Sequence, residues 1–251
     1  MSNEPSHRLV ILSGPSCVGK SPLEKALAKF HPELRQTLRK LVLYNSRSPR
    51  PGEVEGVDYH FRTRNQVEAL RVESRYAVLD VRGDLQALDV EKLRVWLTES
   101  HAFFEGNPFV GRALQTHPGL DGIDRLSIFL SPVSMEEVIY LKAPERNVSL
   151  SDLVADIMRR KLLRRTRRQR LELSAKDLEN IEARATSAYR ELKEAWHFDY
   201  VIPNHDGEDS DNWEAFYYSI GDARKALNAF VGLLEAKIPP GVEKWEEDLI
   251  P

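Results

Sequence analysis

Residues 14–21 read Gly-Pro-Ser-Cys-Val-Gly-Lys-Ser and fill every fixed position of the pattern G-x-x-x-x-G-K-[ST]. The short apolar run at 7–13 predicts a buried strand before them, and apolar residues from Leu23 to Phe30 recur at helical spacing after them. Glycines at both ends of such a loop let successive backbone N–H groups point inward at phosphate oxygens. A strand, this loop and a helix in that order therefore predict a phosphate-binding P-loop.

The P-loop pattern assigns a role to each of its residues. Lys20 would reach the β and γ phosphates of a nucleoside triphosphate, and Ser21 would offer its hydroxyl to Mg²⁺. The other positions contribute mainly backbone groups to the same phosphates, and these candidate binding residues are Gly14, Ser16, Cys17, Val18 and Gly19. Lys20 is therefore the first candidate catalytic residue.

Composition narrows the class of protein. The chain has 251 residues, 41% hydrophobic and 30% charged, which suits one soluble α/β domain with insertions. A net charge of −3 gives no global attraction to nucleic acid or to an anionic membrane. The single cysteine excludes an intrachain disulfide framework. Because no segment has the pattern of a leader or of a membrane span, we expect a cytoplasmic protein.

Strand-like and helix-like segments alternate along the chain, which predicts a mainly parallel sheet with helices on both faces. The predicted strands lie at 41–44, 57–61, 76–81, 101–105, 126–130 and 198–202. Helices are expected at 64–72, at 90–99, after a cap at Ser134, and in a last amphipathic segment from Phe216 to Leu234. We expect the tail after Pro239 to be loosely held.

Residues 45–61, N-S-R-S-P-R-P-G-E-V-E-G-V-D-Y-H-F, form a second motif. Arg47 and Arg50 stand three apart in a proline-stiffened loop and form a preset clamp for a phosphate or a carboxylate. Glycine turns in the same segment would let Tyr59 add its hydroxyl to that anion. On spacing alone, a solvated polar hairpin is an equally good interpretation.

This second motif resembles the nucleoside-monophosphate-binding loop of guanylate kinases, T-T-R-x-P-R-x-G-E-x-x-G-x-D-Y-x-F. The P-loop is similar to that family's G-P-S-G-x-G-K-S, with Cys17 in place of a glycine. Residues 128–132 and 198–204 resemble the family's I-F-I-x-P and F-D-Y-V-I-x-N segments. These motifs follow the family's order across roughly residues 8 to 235, so the resemblance covers most of the chain.

The resemblance implies a P-loop NTPase-type kinase that uses ATP and Mg²⁺ to phosphorylate a nucleoside monophosphate. It implies a P-loop core at 7–44, 90–140 and 185–237, an acceptor-binding insert at 45–89 and a basic helical lid at 141–184. A membrane role is not expected, and a homodimer is left open. The expected site residues are Arg47, Arg50 and Tyr59 for the acceptor phosphate, Glu105 for the substrate or Mg²⁺-bound water, Asn204 for the adenine, and Arg170 and Arg184 as lid arginines.

The residues that would read the acceptor base depart from the family pattern. Ala77 stands where a glutamate would accept hydrogen bonds from guanine N1 and N2, and Leu88 replaces a hydroxyl residue. Losing a buried acceptor of this kind should weaken guanine selection severely, unless Asp80 or Asp84 takes over. Asn107 likewise replaces a carboxylate. The acceptor base is therefore open.

Other interpretations remain at this point. A non-catalytic guanylate-kinase-like binding module is disfavoured by the complete P-loop, and a kinase of a phosphorylated sugar is disfavoured by the intact second motif. Arg159 to Arg170 contains eight basic residues in twelve positions, which fits a solvated helix face that includes lid arginines. An enlarged lid for a bigger substrate is the second interpretation. Nucleic-acid binding comes third, because no aromatic residues interleave with the basic ones.

Overall fold

The computed structural model describes residues 7–49, 53–81, 83–170 and 172–251. Its strands are β1 (Leu9–Ser13), β2 (Leu38–Lys40), β3 (Tyr44–Asn45), β4 (His60–Phe61), β5 (Tyr76–Val81), β6 (Asp84–Asp89), β7 (His101–Gly106), β8 (Arg125–Ser131) and β9 (Tyr200–Pro203). Its helices are α1 (Lys20–Phe30), α2 (Pro32–Gln36), α3 (Arg64–Ala69), α4 (Val90–Trp96), α5 (Pro108–Thr116), α6 (Met135–Lys142), α7 (Leu150–Gln169), α8 (Ala175–Leu192) and α9 (Gly221–Leu234).

The strands form two sheets within the described residues. The larger has the order β2-β7-β1-β8-β9, and its β2–β7 and β8–β9 pairs are parallel. The smaller has the order β4-β3-β6-β5, in which β6 runs antiparallel to both of its neighbours. The mainly parallel α/β architecture with helices on both sides of the sheet, predicted from the alternating pattern, is confirmed.

The chain divides into two compact units. The first unit contains the residues up to Ile11 together with Thr37–Glu105 and Phe109–Leu126, and the second contains Leu12–Gln36, Gly106–Pro108 and Ser127–Pro251. The smaller sheet therefore belongs to the first unit. The P-loop, α7, α8 and α9 belong to the second.

Each unit has its own apolar packing. In the first unit, Leu85 and Ala87 of β6 pack with the fully buried Val67 of α3. In the second unit, the rings of Phe129 and Phe198 meet edge to face with centroids 5.4 Å apart. The buried face of α7 and α8 consists of Val154, Met158, Leu162, Ile181, Ala185, Ala188 and Leu192. This packing fixes α7 as a long helix of the second unit.

Local patterns predicted several elements correctly. The strand at 76–81 is β5, and the helix after Ser134 is α6. Ser134 Oγ accepts a hydrogen bond from the Glu137 N–H, and the Glu137 carboxylate accepts one from the Ser134 N–H at 2.7 Å, which is a capping box. Such signals depend on residues a few positions apart, so tertiary contacts do not override them.

Three of the predicted strands and helices differ from the structure. The strand expected at 41–44 is instead a connection between β2 and β3, because the buried Leu41 and Leu43 lie where the chain leaves one sheet and enters the other. The strand at 57–61 is reduced to β4. The last helix begins at Gly221, so Phe216 lies in the segment before it, where its side chain is 65% exposed.

The tail after Pro239 was also mispredicted, because it is docked. The backbone N–H and C=O of Glu243 exchange hydrogen bonds with Val201 of β9, each at 2.8 Å. Trp245 is 2% exposed and its indole N–H donates to the Glu243 carboxylate at 2.7 Å. Since β9 ends the larger sheet, the tail covers an edge whose backbone groups would otherwise lack partners.

Trp245→Ala is expected to lower the free energy of unfolding by about 3–5 kcal/mol, because it leaves a cavity where a large side chain was buried. Urea unfolding of the two proteins measures this difference. The control is Ile238→Ala, since Ile238 is 71% exposed in the neighbouring segment and should change stability by less than about 0.5 kcal/mol. Equal stability of the Trp245 variant and the native protein would show that the tail does not contribute.

Candidate nucleotide site

The P-loop backbone has the curled shape that its glycines predict. Gly14 and Gly19 have φ angles of 151° and 109°, a region that side chains disfavour. A Cβ on Gly14 would lie 2.4 Å from the carbonyl oxygen of Leu130, and one on Gly19 would lie 2.5 Å from Asn204 Nδ2. Both positions therefore require glycine, and the loop is held close to its neighbours.

Lys20 is the first residue of α1 and is only 7% exposed. Its Nζ donates hydrogen bonds to the backbone carbonyls of Gly14 at 2.9 Å and Pro15 at 2.8 Å. These bonds fold the side chain back over the loop. A positive charge is thereby fixed beside the backbone groups that the pattern assigns to phosphate.

Asn204 braces the P-loop from the end of β9. Its side chain is fully buried, and Nδ2 donates to the carbonyl oxygens of Val18 at 2.8 Å and Asp206 at 2.6 Å. Its backbone N–H donates to Ser131 at 2.7 Å. The structure thus gives this residue a supporting role, and its expected position near adenine stays a prediction.

Cys17 has a φ of 71° and is 1% exposed. Burial, reinforced by the neighbouring Glu208 carboxylate, raises the pKa of the Cys17 thiol. The thiol therefore stays protonated at neutral pH, which removes the nucleophilic form. Gly207 packs so closely that a Cβ there would lie 2.2 Å from the Cys17 carbonyl oxygen. The segment after β9 is thus in direct contact with the P-loop.

A cavity of about 570 Å³ opens beside the start of α1. Its walls come from α1, from the end of α7 and from the segment 208–215. The wall residues with polar, charged or aromatic side chains include Ser21, Lys25, Arg165, Arg168, Glu208 and Trp213. Ser21 is exposed, so its hydroxyl is accessible at the end of the P-loop.

Most arginines of the basic run are paired with carboxylates. These pairs are Arg159 with Glu182, Arg160 with Asp156, Arg164 with Asp209, Arg168 with Asp211 and Arg170 with Asp177. In the Arg170 pair, the single nitrogen Nη1 donates to both Asp177 carboxylate oxygens, each at 2.8 Å. Within the described part of the chain, Arg165 and Arg167 have no carboxylate partner. Of these two, the half-buried Arg165 lines the cavity and Arg167 is exposed.

Arg165 lines the cavity, and sequence reasoning did not single it out. The expected lid residues were Arg170 and Arg184; the first pairs with Asp177, and the second is a half-buried residue of α8. A usable signal existed, because Lys161, Arg165 and Arg168 are spaced four and three apart and share one helix face. Among eight basic residues that spacing did not stand out.

The second motif belongs to the first unit. Arg47 donates two parallel hydrogen bonds to Glu53, both at 2.6 Å, and its guanidinium lies 5.1 Å from the centre of the Tyr59 ring. Burial alone lowers the pKa of Arg47, but the bonds to Glu53 outweigh it and raise that pKa. Arg50 lies outside the described residues. Glu105, on β7 in this unit, is half-buried.

Two of the positions where base-reading residues were sought are buried and apolar. Since Leu85 and Ala87 face α3, alternation places Gln86 and Leu88 on the other face of β6. Ala77 of β5 pairs with Leu88, and the two residues are 1% and 3% exposed. Neither of these two side chains can hydrogen-bond to a base.

Comparison with known proteins agrees with this geometry. A family model described as guanylate kinase matches residues 6–81. The guanylate kinase of Synechococcus sp. (strain JA-3-3Ab) is 31% identical over 213 residues, which covers 78% of this chain and 75% of that protein. That of Trichormus variabilis is 42% identical over 74 residues, 30% of this chain and 35% of that protein.

A solved structure supports the fold. The crystal structure of guanylate kinase from Anaplasma phagocytophilum aligns with a TM-score of 0.52 and 18% identity, covering 93% of this chain and 87% of that one. The guanylate kinase relatives support a phosphotransferase of the kinase class. Within that class, the chain belongs to the guanylate kinase family.

None of the helices in the described ranges is long and apolar enough to cross a membrane.

Proposed function

We propose that the protein is an ATP-dependent nucleoside monophosphate kinase, which transfers the γ-phosphate of ATP to GMP or another (deoxy)nucleoside monophosphate. The observation that carries this proposal is the complete P-loop, in which two loop carbonyls hold Lys20. The neighbouring cavity is lined by Arg165, an arginine that forms no ion pair with a carboxylate among the described residues. A non-catalytic binding module does not require an intact phosphate-binding loop. Family membership supports the same reaction class.

The cavity on the donor side has a size suited to ATP. The cavity of about 570 Å³ lies within the range of ligand pockets, about 300–1,000 Å³. Mg²⁺ would be held by the Ser21 hydroxyl and by phosphate oxygens, as the P-loop pattern implies. When bound, the metal neutralises phosphate charge.

Phosphoryl transfer requires positioning and charge stabilisation more than covalent chemistry. Lys20 would bind the donor phosphates, and Arg165 would add a second positive charge from α7. The P-loop N–H groups would orient the phosphates, while Asn204 keeps the loop in shape through its bond to Val18. Roles for Arg170 and Arg184 toward the phosphates stay predictions.

We propose that Arg47, Arg50 and Tyr59 bind the acceptor phosphate. Glu53 orients the Arg47 guanidinium through its two parallel hydrogen bonds, so the arginine is preset before the acceptor arrives. Glu105 is proposed to contact the substrate or Mg²⁺-bound water. The proposed boundaries remain a core at 7–44, 90–140 and 185–237, an insert at 45–89 and a lid at 141–184.

The acceptor base is expected to be weakly selected. Ala77 and Leu88 are buried and apolar, so they offer no acceptor to guanine N1–H and N2–H. Asp80 Oδ1 accepts a hydrogen bond from the Gly83 N–H at 3.3 Å, which fits an ordinary turn residue. We therefore expect GMP to share the site with other nucleoside monophosphates.

The test is a panel assay with the purified protein. Mg·ATP is supplied with ribo- and deoxynucleoside monophosphates and, separately, with sugar phosphates, and ADP formation is followed. Turnover with a nucleotide supports the proposal and identifies the acceptor. Turnover with a sugar phosphate alone would replace it by a sugar-phosphate kinase. Absence of both turnover and ATP binding would favour the binding module.

Arg165→Ala is expected to raise the Kd for ATP by about 10–100-fold, because it removes a charged hydrogen-bond donor from the cavity. Arg167→Ala is the matched control, since Arg167 is an exposed arginine of the same helix that does not line the cavity. Its Kd should stay within about twofold. Isothermal titration measures both constants, and equal losses in the two variants would contradict a specific role for Arg165.

A further inference from the structure

Two residues that line the cavity beside α1 each have a buried polar atom with no hydrogen-bond partner among the described residues. Glu208 Oε2 and Arg165 Nε are both inaccessible to solvent and have no hydrogen-bond partner among the described residues. Both residues line the cavity. Buried polar atoms are nearly always satisfied in folded proteins, and a small turn of each side chain toward a ligand in the cavity would supply the missing bonds.

The two atoms require different chemistry from that ligand. A guanidinium N–H needs an acceptor, whereas a carboxylate oxygen needs a donor. Inorganic phosphate would satisfy the arginine but would be repelled by Glu208. A nucleotide satisfies both, because it has phosphate oxygens at one end and hydroxyl and amine donors beyond them.

The position of Glu208 indicates which donor it meets. The Glu208 carboxylate is near enough to raise the pKa of the Cys17 thiol, and the preceding Gly207 packs against the Cys17 carbonyl oxygen, so this carboxylate lies next to the P-loop. In a nucleotide bound with its phosphates in that loop, the ribose is attached to the phosphates and the base lies further away. A carboxylate next to the loop is therefore within reach of the sugar before the base.

We propose that Glu208 accepts a hydrogen bond from a ribose hydroxyl of the donor nucleotide and makes the site prefer ATP over its deoxy analogues. This inference rests on the proposed function, because it takes the P-loop as the site of a nucleoside triphosphate. It adds a specificity residue from the segment between β9 and α9, beyond the P-loop itself.

The experiment measures dissociation constants by isothermal titration for ATP, 2′-deoxy-ATP, 3′-deoxy-ATP and inosine triphosphate. The native protein should bind at least one deoxy analogue about 10–100-fold more weakly than ATP, as expected for a hydrogen bond to a charged group. Glu208→Ala should bind ATP and that analogue within about twofold of each other. Glu208→Gln, which keeps the volume, should show a reduced ratio.

Glu214→Ala is the matched control, because Glu214 is an exposed carboxylate on the rim of the same cavity. It should keep the native ratio of ATP to deoxy-ATP binding, whatever it does to the absolute affinity. A general loss of loop structure would weaken the binding of every ligand by a similar factor. The ratio of the dissociation constants therefore separates a lost contact to the ribose from a folding defect.

Several outcomes would overturn the inference. Equal binding of all three adenosine nucleotides by the native protein would do so, as would a ratio that survives in Glu208→Ala. A Glu208-dependent loss confined to inosine triphosphate would assign the contact to the adenine amine instead. If the protein prefers ATP over a deoxy analogue but transfers phosphate to no acceptor, the proposed function alone is overturned. If it does not bind ATP, both the proposed function and the role of Glu208 are overturned.

Discussion

Replacing Lys20 by alanine is expected to lower the rate of phosphoryl transfer by about 10²–10³-fold, the usual effect of removing one preorganised group that stabilises transition-state charge. The ammonium is fixed over the P-loop by the carbonyls of Gly14 and Pro15, so no other side chain can take its place without rebuilding the loop. Coupled detection of ADP with a saturating acceptor measures the loss.

Two further variants make this result interpretable. Lys20→Met keeps the length of the side chain without its charge, and it should lose activity as the alanine variant does. Lys29→Ala removes an exposed lysine from the same helix and should retain native activity. Thermal unfolding would show whether each variant is folded. Native rates in a folded Lys20→Met protein would contradict the assignment of the P-loop as the donor site.

Arg47→Ala is expected to raise the KM for the acceptor by about 10–100-fold while leaving the Kd for ATP within about threefold. The reason is that Arg47 is the preset cation of the second motif, held by Glu53 before any phosphate binds. Initial rates at varied acceptor concentration measure the KM, and titration measures the Kd for ATP.

The control for Arg47 is Arg71→Ala in the same unit. Arg71 is an exposed arginine that pairs with Glu68 on the surface of α3, and exposed pairs of this kind contribute little. Its KM for the acceptor should equal that of the native protein. An unchanged KM in Arg47→Ala, or an equal rise in both variants, would remove Arg47 from the acceptor site.

The shape of the P-loop was largely predictable from sequence because its signal is local. The constraint on Gly14 and Gly19 is a backbone requirement, and the positions of Lys20 and Ser21 follow from the loop that those glycines permit. The cap at Ser134 is predictable for the same reason. Each of these features depends on residues within one or two turns of the chain.

Other features depend on contacts between distant residues. The tail is docked because Glu243 pairs with Val201 and Trp245 is buried, and nothing in the composition of 240–251 shows this. Arg165 is distinguished from the other arginines of α7 only because their carboxylate partners, such as Glu182 and Asp211, come from other segments. Pairing of this kind cannot be derived from a run of basic residues alone.

Phosphoryl transfer is tested most directly by following the γ-phosphorus of ATP with ³¹P nuclear magnetic resonance in a mixture of native protein, Mg²⁺, ATP and the preferred nucleoside monophosphate. We expect a new nucleoside diphosphate to appear in equal amount to ADP, and neither to form with Lys20→Met. Release of the γ-phosphate only as inorganic phosphate, or an unchanged spectrum, would contradict this expectation.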